Sequence, residues 1–182
     1  MRTLKMFAML GVVSMMTIVT ACSTTPESQD DRTTLQNEAS SVTADFRKSD
    51  AEIAKQMDAA YGMAVFPTIG KGGLVVGGAG GRGVVYEQGK MIGYTTMSQA
   101  TIGLQAGGQS YSQLILFENK AALDRFTAAE WAMSAQATAV AAASGAGATA
   151  KYKDGVMVYV LNMKGLMGEA SVGGQKFNYE KM

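Results

Sequence analysis

The sequence predicts an α+β domain in which about three helices pack on a large β-sheet that is curved, largely antiparallel and barrel-like. Two patterns support this prediction. Apolar residues first recur at helical spacing, and from Gly62 onwards short branched or aromatic runs are separated by glycines, 14 of them within residues 62–108. The first pattern is typical of amphipathic helices, and the second indicates strands with bulges and close backbone contacts.

The first residues have the composition of a bacterial secretion signal. Arg2 and Lys5 give a basic start, and residues 6–20 form an apolar stretch of the length that such signals use. A membrane-spanning helix needs about 20 apolar residues, so this stretch is too short to be one. We therefore predict that residues 1–21 are a signal peptide.

The signal ends in a motif that indicates lipidation. Residues 19–22, Val-Thr-Ala-Cys, resemble the lipobox of bacterial lipoproteins, in which Cys22 receives the acyl chains. The alternative is an ordinary signal peptide that happens to precede a cysteine. By the same resemblance, Ser23 in place of aspartate after the cysteine indicates the outer membrane. We expect the protein to be anchored in a phospholipid membrane and to face the periplasm.

The residue types that are missing narrow the function. Cys22 is the only cysteine, so no thiol would remain after acylation for a disulfide, a metal or nucleophilic attack. The chain has no histidine, the commonest general base and metal ligand. A formal charge of +1 is far below that of a nucleic-acid-binding domain. These observations predict a protein that is not an enzyme, has no cofactor or metal, and does not bind nucleic acid.

Residues 22–34 are predicted to be a lipidated, flexible tether, because the stretch after the cysteine is polar and has no hydrophobic periodicity. The remaining residues, 35–182, are enough for one hydrophobic core and are expected to form a single domain. That domain begins with an amphipathic helix, whose apolar residues are four, three and four positions apart. They are Leu35, Ala39, Val42 and Phe46.

A second helix is predicted to follow directly. Ser49 and Glu52 have the spacing of a capping box, in which a serine caps the helix and a glutamate three residues later bonds back to it. Ile53, Met57 and Tyr61 then recur at a spacing of four and would form the apolar face of this helix.

Glycines and short apolar runs predict six strands in the middle of the chain. These strands lie near residues 62–67, 73–78, 82–87, 91–97, 100–106 and 109–117. Residues 87–90, Glu-Gln-Gly-Lys, are expected to form a hairpin turn. Asn119 is placed to cap a third helix, from residue 120 to about residue 129, whose Leu123 and Phe126 face inward.

The alanine-rich residues 132–142 would be helical by propensity alone. Polar residues alternate there with alanine at period two, which favours a strand with a small-residue face. Asp154-Gly155 is typical of a tight turn between two strands. The strands expected in this part of the chain lie near residues 147–152, 156–162, 166–172 and 175–179.

A glycine-rich stretch holds the candidate binding residues. Residues 78–83 match Gly-x-Gly-x-x-Gly, but a dinucleotide site requires a helix next, and the following residues continue as a strand. Lys71 and Arg82 are the cations of this stretch, and glycine neighbours let an anion approach backbone N–H groups. The candidate anionic-headgroup site consists of Lys71, Gly72, Gly73, Gly81, Arg82 and Gly83. Basic residues at strand ends also protect sheet edges, and this alternative is open.

Several motifs of the chain follow one another in a family-specific order. They are residues 64–67 (Ala-Val-Phe-Pro), 71–73 (Lys-Gly-Gly), 77–78 (Gly-Gly), 82–85 (Arg-Gly-Val-Val), 100–109 (Ala-Thr-Ile-Gly-Leu-Gln-Ala-Gly-Gly-Gln), 117–120 (Phe-Glu-Asn-Lys) and 165–167 (Gly-Leu-Met), with Leu123 and Phe126. In this order they resemble the SYLF domain family over about residues 50–179.

The resemblance implies a binding module. Eukaryotic members of the family are associated with phosphoinositide membranes and the yeast branch with actin filaments, while similar bacterial chains are typically envelope lipoproteins. Membrane contact in the family is attributed to an N-terminal amphipathic helix. That helix corresponds here to residues 50–61, with Ile53, Met57 and Tyr61 as its membrane-facing residues. In this sequence it has more acidic than basic residues, unlike a basic membrane-binding helix.

The expected function combines these points. We expect a non-enzymatic, membrane-anchored lipoprotein with a lipid-binding or membrane-surface module, located at the outer membrane and facing the periplasm. Its expected partners are the phospholipid membrane, reached through the Cys22 acyl chains, and an anionic lipid headgroup. The alternative is a structural or protein-interaction component of the bacterial cell envelope, with an envelope protein as its partner.

Overall fold

The computed structural model describes residues 28–73, 76–102, 109–128, 131–133, 139–162 and 174–182. The helices within these ranges are α1 (Gln29–Ser49), α2 (Ala51–Ala59) and α3 (Lys120–Phe126). The strands are β1 (Gly62–Gly73), β2 (Val76–Glu87), β3 (Lys90–Ile102), β4 (Gln109–Phe117), β5 (Trp131–Ala132), β6 (Val140–Ala141), β7 (Val156–Asn162) and β8 (Lys176–Lys181).

All eight strands belong to one sheet, with the order β5-β8-β3-β2-β1-β4-β7-β6. Every pairing is antiparallel except the short one between β6 and β7. The predicted α+β class, with a curved and largely antiparallel sheet and three helices, is therefore confirmed for the described residues.

The sheet curls into a half-barrel, and contacts across its interior show how strongly it is curved. Phe66 on β1 and Phe177 on β8 are three strands apart in the sheet order, yet their ring centroids are 5.6 Å apart. Three steps across a flat sheet would separate them by about 14 Å. Gln113 on β4 and Gln175, just before β8, are further apart in the order and exchange two amide hydrogen bonds of 2.9 and 3.1 Å.

Both faces of the sheet are buried, and successive residues alternate between two cores. On β4, Ile115 and Phe117 lie in the inner core, while Leu114 and Leu116 lie in the outer core. Helix α3 contributes to the inner core, and α1 and α2 cover the outer face. The helix residues of the outer core are Leu35, Ala39, Val42, Phe46, Ile53 and Met57. The predicted apolar stripe of the first helix is thus confirmed.

Helix α1 begins earlier than its apolar stripe indicated. Ser28 caps it, with the side-chain oxygen accepting a hydrogen bond of 3.1 Å from the N–H of Asp31. Residues 29–34, which were predicted to be part of the tether, are therefore the first turns of the helix. Polar residues there are compatible with a helix, because residues 29–34 are exposed apart from the partly buried Arg32.

The cap of α2 is Asp50, and the predicted Ser49 cap is wrong. One carboxylate oxygen of Asp50 accepts hydrogen bonds from the N–H groups of Glu52 and Ile53, at 2.8 and 3.1 Å. The Ser49 hydroxyl instead donates to the Phe46 carbonyl at the end of α1. Serine and aspartate both cap helices well, so spacing alone did not distinguish them.

Four of the predicted strands merge into two longer ones. Of the stretch predicted near 73–78, residues 76–78 begin β2, Gly73 ends β1, and residues 74–75 lie outside the described residues. The stretch predicted near 82–87 is the end of β2, and that near 91–97 lies within β3. Glycines inside these strands do not end them, because each remains paired to both neighbouring strands except Gly83, which pairs with β3 and lies at the register shift towards β1. The part of the 100–106 prediction beyond residue 102 lies outside the described residues. The hairpin turn at 87–90 is confirmed, with left-handed φ angles of 47° at Gln88 and 78° at Gly89.

The prediction of a single strand over residues 132–142 is wrong. Its start, β5, pairs with β8 at one edge of the sheet, and its end, β6, pairs with β7 at the other edge. Eight residue steps from Ala132 to Val140 span at most about 28 Å, so the two edges are held within that distance. Residues 134–138 lie outside the described ranges. The same segment thus borders both sides of the opening in the half-barrel.

The last predicted strands have mixed outcomes. Residues 147–152 form turns and irregular structure instead of a strand, with the N–H of Thr149 donating to the Ala146 carbonyl. The turn at Asp154 and Gly155 is confirmed by left-handed φ angles of 53° and 75°, and it leads into β7. The prediction near 175–179 corresponds to β8, and that near 166–172 lies outside the described residues. The third helix begins after its predicted Asn119 cap but ends at Phe126, before residue 129.

Two glycines of β2 lie so close to β1 that a side chain would collide with its atoms. A Cβ atom on Gly83 would be 2.7 Å from the Val65 carbonyl oxygen and 2.9 Å from the Phe66 ring. A Cβ atom on Gly81 would be 2.6 Å from the Thr68 carbonyl oxygen. These distances leave no room for a methyl group, so the curvature of the sheet at this point requires glycine.

Asp50 also joins α2 to the loop of residues 142–150. Its second carboxylate oxygen accepts a hydrogen bond of 2.6 Å from the N–H of Gly145. Gln56, one turn further along α2, donates to the Gly147 carbonyl at 3.0 Å and accepts a hydrogen bond from the hydroxyl of Tyr159. The hydrogen bond from Gly145, above all, holds the pKa of Asp50 below its ordinary value, against the opposing effect of desolvation.

We predict that Gly83→Ala lowers the free energy of unfolding by about 1–3 kcal/mol, because the added methyl group overpacks the contact between β1 and β2. Gly80→Ala on the same strand is the control, since its Cβ would meet only the Met97 carbonyl oxygen at 3.5 Å. That control should change the stability by less than about 1 kcal/mol. Urea unfolding of both variants measures the two changes in the free energy of unfolding. Equal midpoints for the two would show that the close approach is not required.

We predict that Asp50→Asn destabilises the protein at neutral pH and that this effect fades in acid. A lowered pKa means that the carboxylate stabilises the fold above its unfolded pKa of about 3.9 and ceases to do so as the pH falls through the folded value. Urea midpoints of wild type and variant should therefore converge between about pH 5 and pH 3. Asp45→Asn, at an exposed position of α1, is the control. A gap that stays constant with pH would contradict the role given to the charge.

Candidate functional site

A cavity of about 420 Å³ lies at the opening of the half-barrel, bordered by β5 on one side and by β6 and β7 on the other. We call it the edge cavity. Its volume is within the range of about 300–1,000 Å³ that small-molecule sites occupy. The apolar side chains of its walls are Trp131, Met133, Val140, Val156, Met157 and Val158. Met133 and Val158 also belong to the inner core, so the cavity leads from the surface towards the interior of the sheet.

Cations surround the mouth of the edge cavity. Arg125 at the end of α3 and Lys151 and Lys153 before β7 are all exposed, and together they form what we call the basic rim. Asp154 is the one carboxylate among the lining residues. Three cations against one acid give the mouth a positive charge, which favours an anionic ligand or surface.

The elements around the mouth are fixed by backbone geometry. Lys153 and Val156 are bridged to each other across the tight turn at Asp154 and Gly155, with N–H to carbonyl distances of 2.9 and 3.0 Å. The Arg125 guanidinium donates a hydrogen bond of 2.6 Å to the Asp154 carbonyl, which ties α3 to this turn. The residues of the basic rim therefore lie beside a hydrogen-bonded turn and at the end of a helix.

The loop of residues 142–150 closes the other side of the mouth. Thr149 and Ala150 line the edge cavity, and this loop is the one that Asp50 and Gln56 hold against α2. Burial raises the pKa of Tyr152, another lining residue, and the carboxylate of Glu118 adds to this shift. The Tyr152 phenol is thus a neutral hydrogen-bond donor at physiological pH.

Buried polar groups inside the half-barrel are bonded to each other and do not form a reactive cluster. Gln175 donates to Gln113 and also, at 3.4 Å, to the hydroxyl of Tyr111. Burial raises the pKa of Tyr111 to about 12, so this phenol stays protonated. Within the described ranges, no group of three or more metal-ligating side chains converges on one point. The buried polar groups can therefore stabilise the curl of the sheet, while the edge cavity is the place where a ligand can bind.

The structure does not bring Lys71 and Arg82 together. Lys71 is two residues beyond Ile69, which faces the inner core, and its partner on β2 is Ala79, another inner residue. Arg82 is two residues before Val84, which faces the outer core. Because neighbours two positions apart share a face, the two cations project from opposite faces of the sheet.

The glycines of the same candidate site have separate explanations. Gly81 and Gly83 are required by the close approach of β1, and this accounts for them without a ligand. Gly72 is exposed, with no atom within 4 Å of the position that a Cβ would take, and Gly73 is the last residue of β1. Arg82 borders a shallow depression on the outer face together with Thr96, Ser98 and Asn178.

The helix predicted to face a membrane packs on the protein itself. Ile53 is fully buried and Met57 is 5% exposed, and both belong to the outer core beneath α2. Tyr61 lies beyond the end of α2 and donates a hydrogen bond of 2.8 Å to Glu87. The membrane-facing assignment of Ile53 and Met57 is therefore wrong for this structure, because their stripe covers the sheet.

The predicted lipidation residue, Cys22, lies outside the described residues. Among the helices of the described part of the chain, none combines the length and the apolar composition needed to cross a membrane. The sequence reasoning missed the edge cavity and its basic rim. A signal was present in Lys151 and Lys153, two cations directly before the tight turn at Asp154 and Gly155.

Comparisons with known proteins agree with the resemblance noted in the sequence. Residues 98–181 match the family described as Ysc84, Las17-binding protein actin regulator, which is the SYLF domain family. Beta cell expansion factor A from Aeromonas veronii is 37% identical over 126 residues, which cover 68% of this chain and 48% of that protein. The chain thus spans about half the length of this curated relative. Residues 98–181 therefore match the SYLF domain family, a family of binding domains with lipid-related and actin-related partners.

Proposed function

We propose that this protein is a non-enzymatic, membrane-anchored lipoprotein whose SYLF domain binds the surface of an anionic phospholipid membrane. The observation that carries the proposal is the edge cavity, in which apolar walls are combined with the basic rim. Apolar walls favour the acyl region of a lipid, and cations favour its headgroup. In this proposal the protein faces the periplasm from the outer membrane.

The basic rim is suited to a charged surface because its cations are already exposed. Lys151 and Lys153 are two residues apart, and Arg125 lies next to the turn that follows them. Each lysine or arginine close to an anionic membrane contributes about 1 kcal/mol. Three such contacts would hold a domain weakly and reversibly, so the stable attachment in this proposal comes from the acyl chains on Cys22.

The anchor and the domain are close in the sequence. Six residue steps separate Cys22 from Ser28, the cap of α1, and that distance is at most about 21 Å even in a fully extended chain. An acylated Cys22 would therefore keep the domain within reach of the surface in which it is anchored. The absence of histidine and of a second cysteine supports binding over catalysis.

A second candidate function is a protein-interaction component of the cell envelope. It is favoured by the edges of the sheet, where β5 and β6 pair with only two residues each of β8 and β7. An edge strand with open backbone groups can accept a strand from a partner protein. Under this alternative the protein would not bind lipid vesicles, and it would crosslink to an envelope protein.

We predict that Lys151→Gln combined with Lys153→Gln weakens binding to anionic vesicles about thirtyfold, since two contacts of about 1 kcal/mol each are lost. Protein released from its anchor by Cys22→Ala is used, and co-sedimentation is measured across a salt series. Raised salt should reproduce the loss, because the Debye length is about 8 Å at physiological ionic strength.

Lys71→Ala combined with Arg82→Ala is the matched control, since it removes the same charge from opposite faces of the sheet. This control pair should weaken vesicle binding much less than the rim pair. An equal loss in both pairs would mean that only the net charge matters. No loss in the rim pair would refute the basic rim as the membrane contact.

We predict that Cys22→Ala moves the protein from the membrane fraction to the soluble fraction, because a few peripheral contacts do not replace two acyl chains. Fractionation of cells that express each form measures membrane association, and metabolic labelling with a fatty acid measures lipidation. Ser23→Ala is the control and should stay labelled and membrane-bound. A Cys22→Ala protein that remains fully in the membrane fraction would contradict the anchor assignment.

A further inference from the structure

We infer that the edge cavity takes up one acyl chain of a single-chain anionic amphiphile, whose carboxylate or phosphate head binds the basic rim. This rests on the proposed lipid-binding function and specifies its ligand class. Uptake of a chain is a stronger statement than contact with a membrane surface, because the ligand leaves the bilayer and enters the protein.

The volume of the edge cavity points to one chain. A methylene group occupies roughly the space of a water molecule, about 30 Å³, so a cavity of about 420 Å³ corresponds to about 14 such groups. A common phospholipid has two chains of about this length, so the cavity has room for only half of its apolar part. A fatty acid or a lysophospholipid has one chain and matches the volume.

The position of the walls gives the chain a path. Trp131 and Val156 are partly exposed at the mouth, while Met133 and Val158 are buried and border the inner core. Apolar lining thus continues from the surface inward along the gap between β5 and β7. Within the described part of the chain no strand pairs β5 to β7, so an extended hydrocarbon chain can follow this gap.

The distribution of charge sets the direction of the chain. Lys151, Lys153 and Arg125 are exposed at the mouth, and the buried wall residues are apolar. A ligand with an anionic end would therefore place that end outward and its chain inward. Asp154 lowers the positive charge of the mouth but does not cancel it, so the charge complementarity favours an anion over a neutral or cationic head.

Trp131 provides a direct measurement because it is the only tryptophan of the chain and lies on the cavity wall. The experiment titrates the full chain carrying Cys22→Ala with a brominated dodecanoate below its micelle concentration. Its bromine is in the half of the chain nearest the carboxylate, because Trp131 lies at the mouth. Bromine quenches tryptophan fluorescence on contact. We expect saturable quenching with one ligand per protein.

Three further arms identify the ligand chemistry. A brominated lysophosphatidic acid of the same chain length tests a phosphate head, and the corresponding brominated alcohol tests a neutral one. Lys151→Gln with Lys153→Gln should weaken binding of the two anions by up to about thirtyfold and leave binding of the alcohol nearly unchanged. Alcohol binding as tight as that of both anions would overturn the role of the basic rim.

Blocking variants test the location. Ala150→Phe places a ring in the edge cavity, whereas Ala148→Phe is an exposed neighbour outside the lining and serves as its control. Thr149→Phe, at an exposed lining position, is a second blocking variant in case the first one unfolds, which urea unfolding would reveal. Quenching should be lost in the blocked variants and kept in the control. Quenching that persists in a folded blocked variant would refute uptake into this cavity.

The proposed function and the further inference fail separately. Vesicle binding without saturable quenching by monomeric amphiphile would leave the membrane-surface function in place and overturn chain uptake. Saturable quenching without vesicle binding would support chain uptake and overturn membrane-surface binding.

Discussion

The structure depends on the curl of its sheet, which is set by contacts across the concave face. Phe66 and Phe177 meet there with ring centroids 5.6 Å apart, and the side chains of Gln113 and Gln175 satisfy each other's amide groups. A buried amide that lost its partner would cost about 1–3 kcal/mol, so the two glutamines stabilise one curvature and penalise others. Glycine at position 83 permits the close approach on which this curvature depends.

Among the described strands the curl stops short of closure, and the edge cavity lies at the resulting opening. Strands β5 and β6 come from one segment of the chain, yet they pair at opposite edges of the sheet. Each is only two residues long, so neither continues the sheet far enough to join the other edge. The opening between them is lined with side chains of both cores, among them Met133 and Val158 of the inner core and Met157 of the outer core. The turn at Asp154 and Gly155 brings lysines to its mouth. A site with apolar walls and a charged rim therefore arises from incomplete closure of a barrel.

Local features of the fold could be predicted from the sequence, because they depend on residues close together in the chain. The stripe from Leu35 to Phe46, the Asn119 cap and the turn at residues 87–90 are of this kind. Pairing of β5 and β6 with different edges could not be predicted. Alternation of residue types sets which face of a strand is buried, but it does not select the partner strand.

The candidate site at Lys71 and Arg82 shows how a single bulge changes a prediction. Pro67 lies at a shift of register in β1, where it cannot donate a hydrogen bond to the sheet. Because of this bulge, Phe66 and Ile69 both face the inner core although they are three residues apart. Without the bulge, Lys71 would lie on the outer face with Arg82. The proline was visible in the sequence, but its effect on every later residue of the strand was not.

The burial of α2 bears on where a membrane could contact the domain. If α2 moved to a membrane, Ile53 and Met57 could regain apolar surroundings there, but the sheet residues beneath them would be exposed to water. Exposing one large apolar side chain costs about 1.5–3 kcal/mol, and a domain of ordinary stability has only about 5–15 kcal/mol in total. The hydrogen bonds of Asp50 and Gln56 to the loop of residues 142–150 would be lost as well. Since that loop also closes the edge cavity, release of α2 would open the site with the apolar walls. The basic rim requires no such rearrangement, because its cations are exposed in the folded domain, and on energetic grounds it is the better membrane contact.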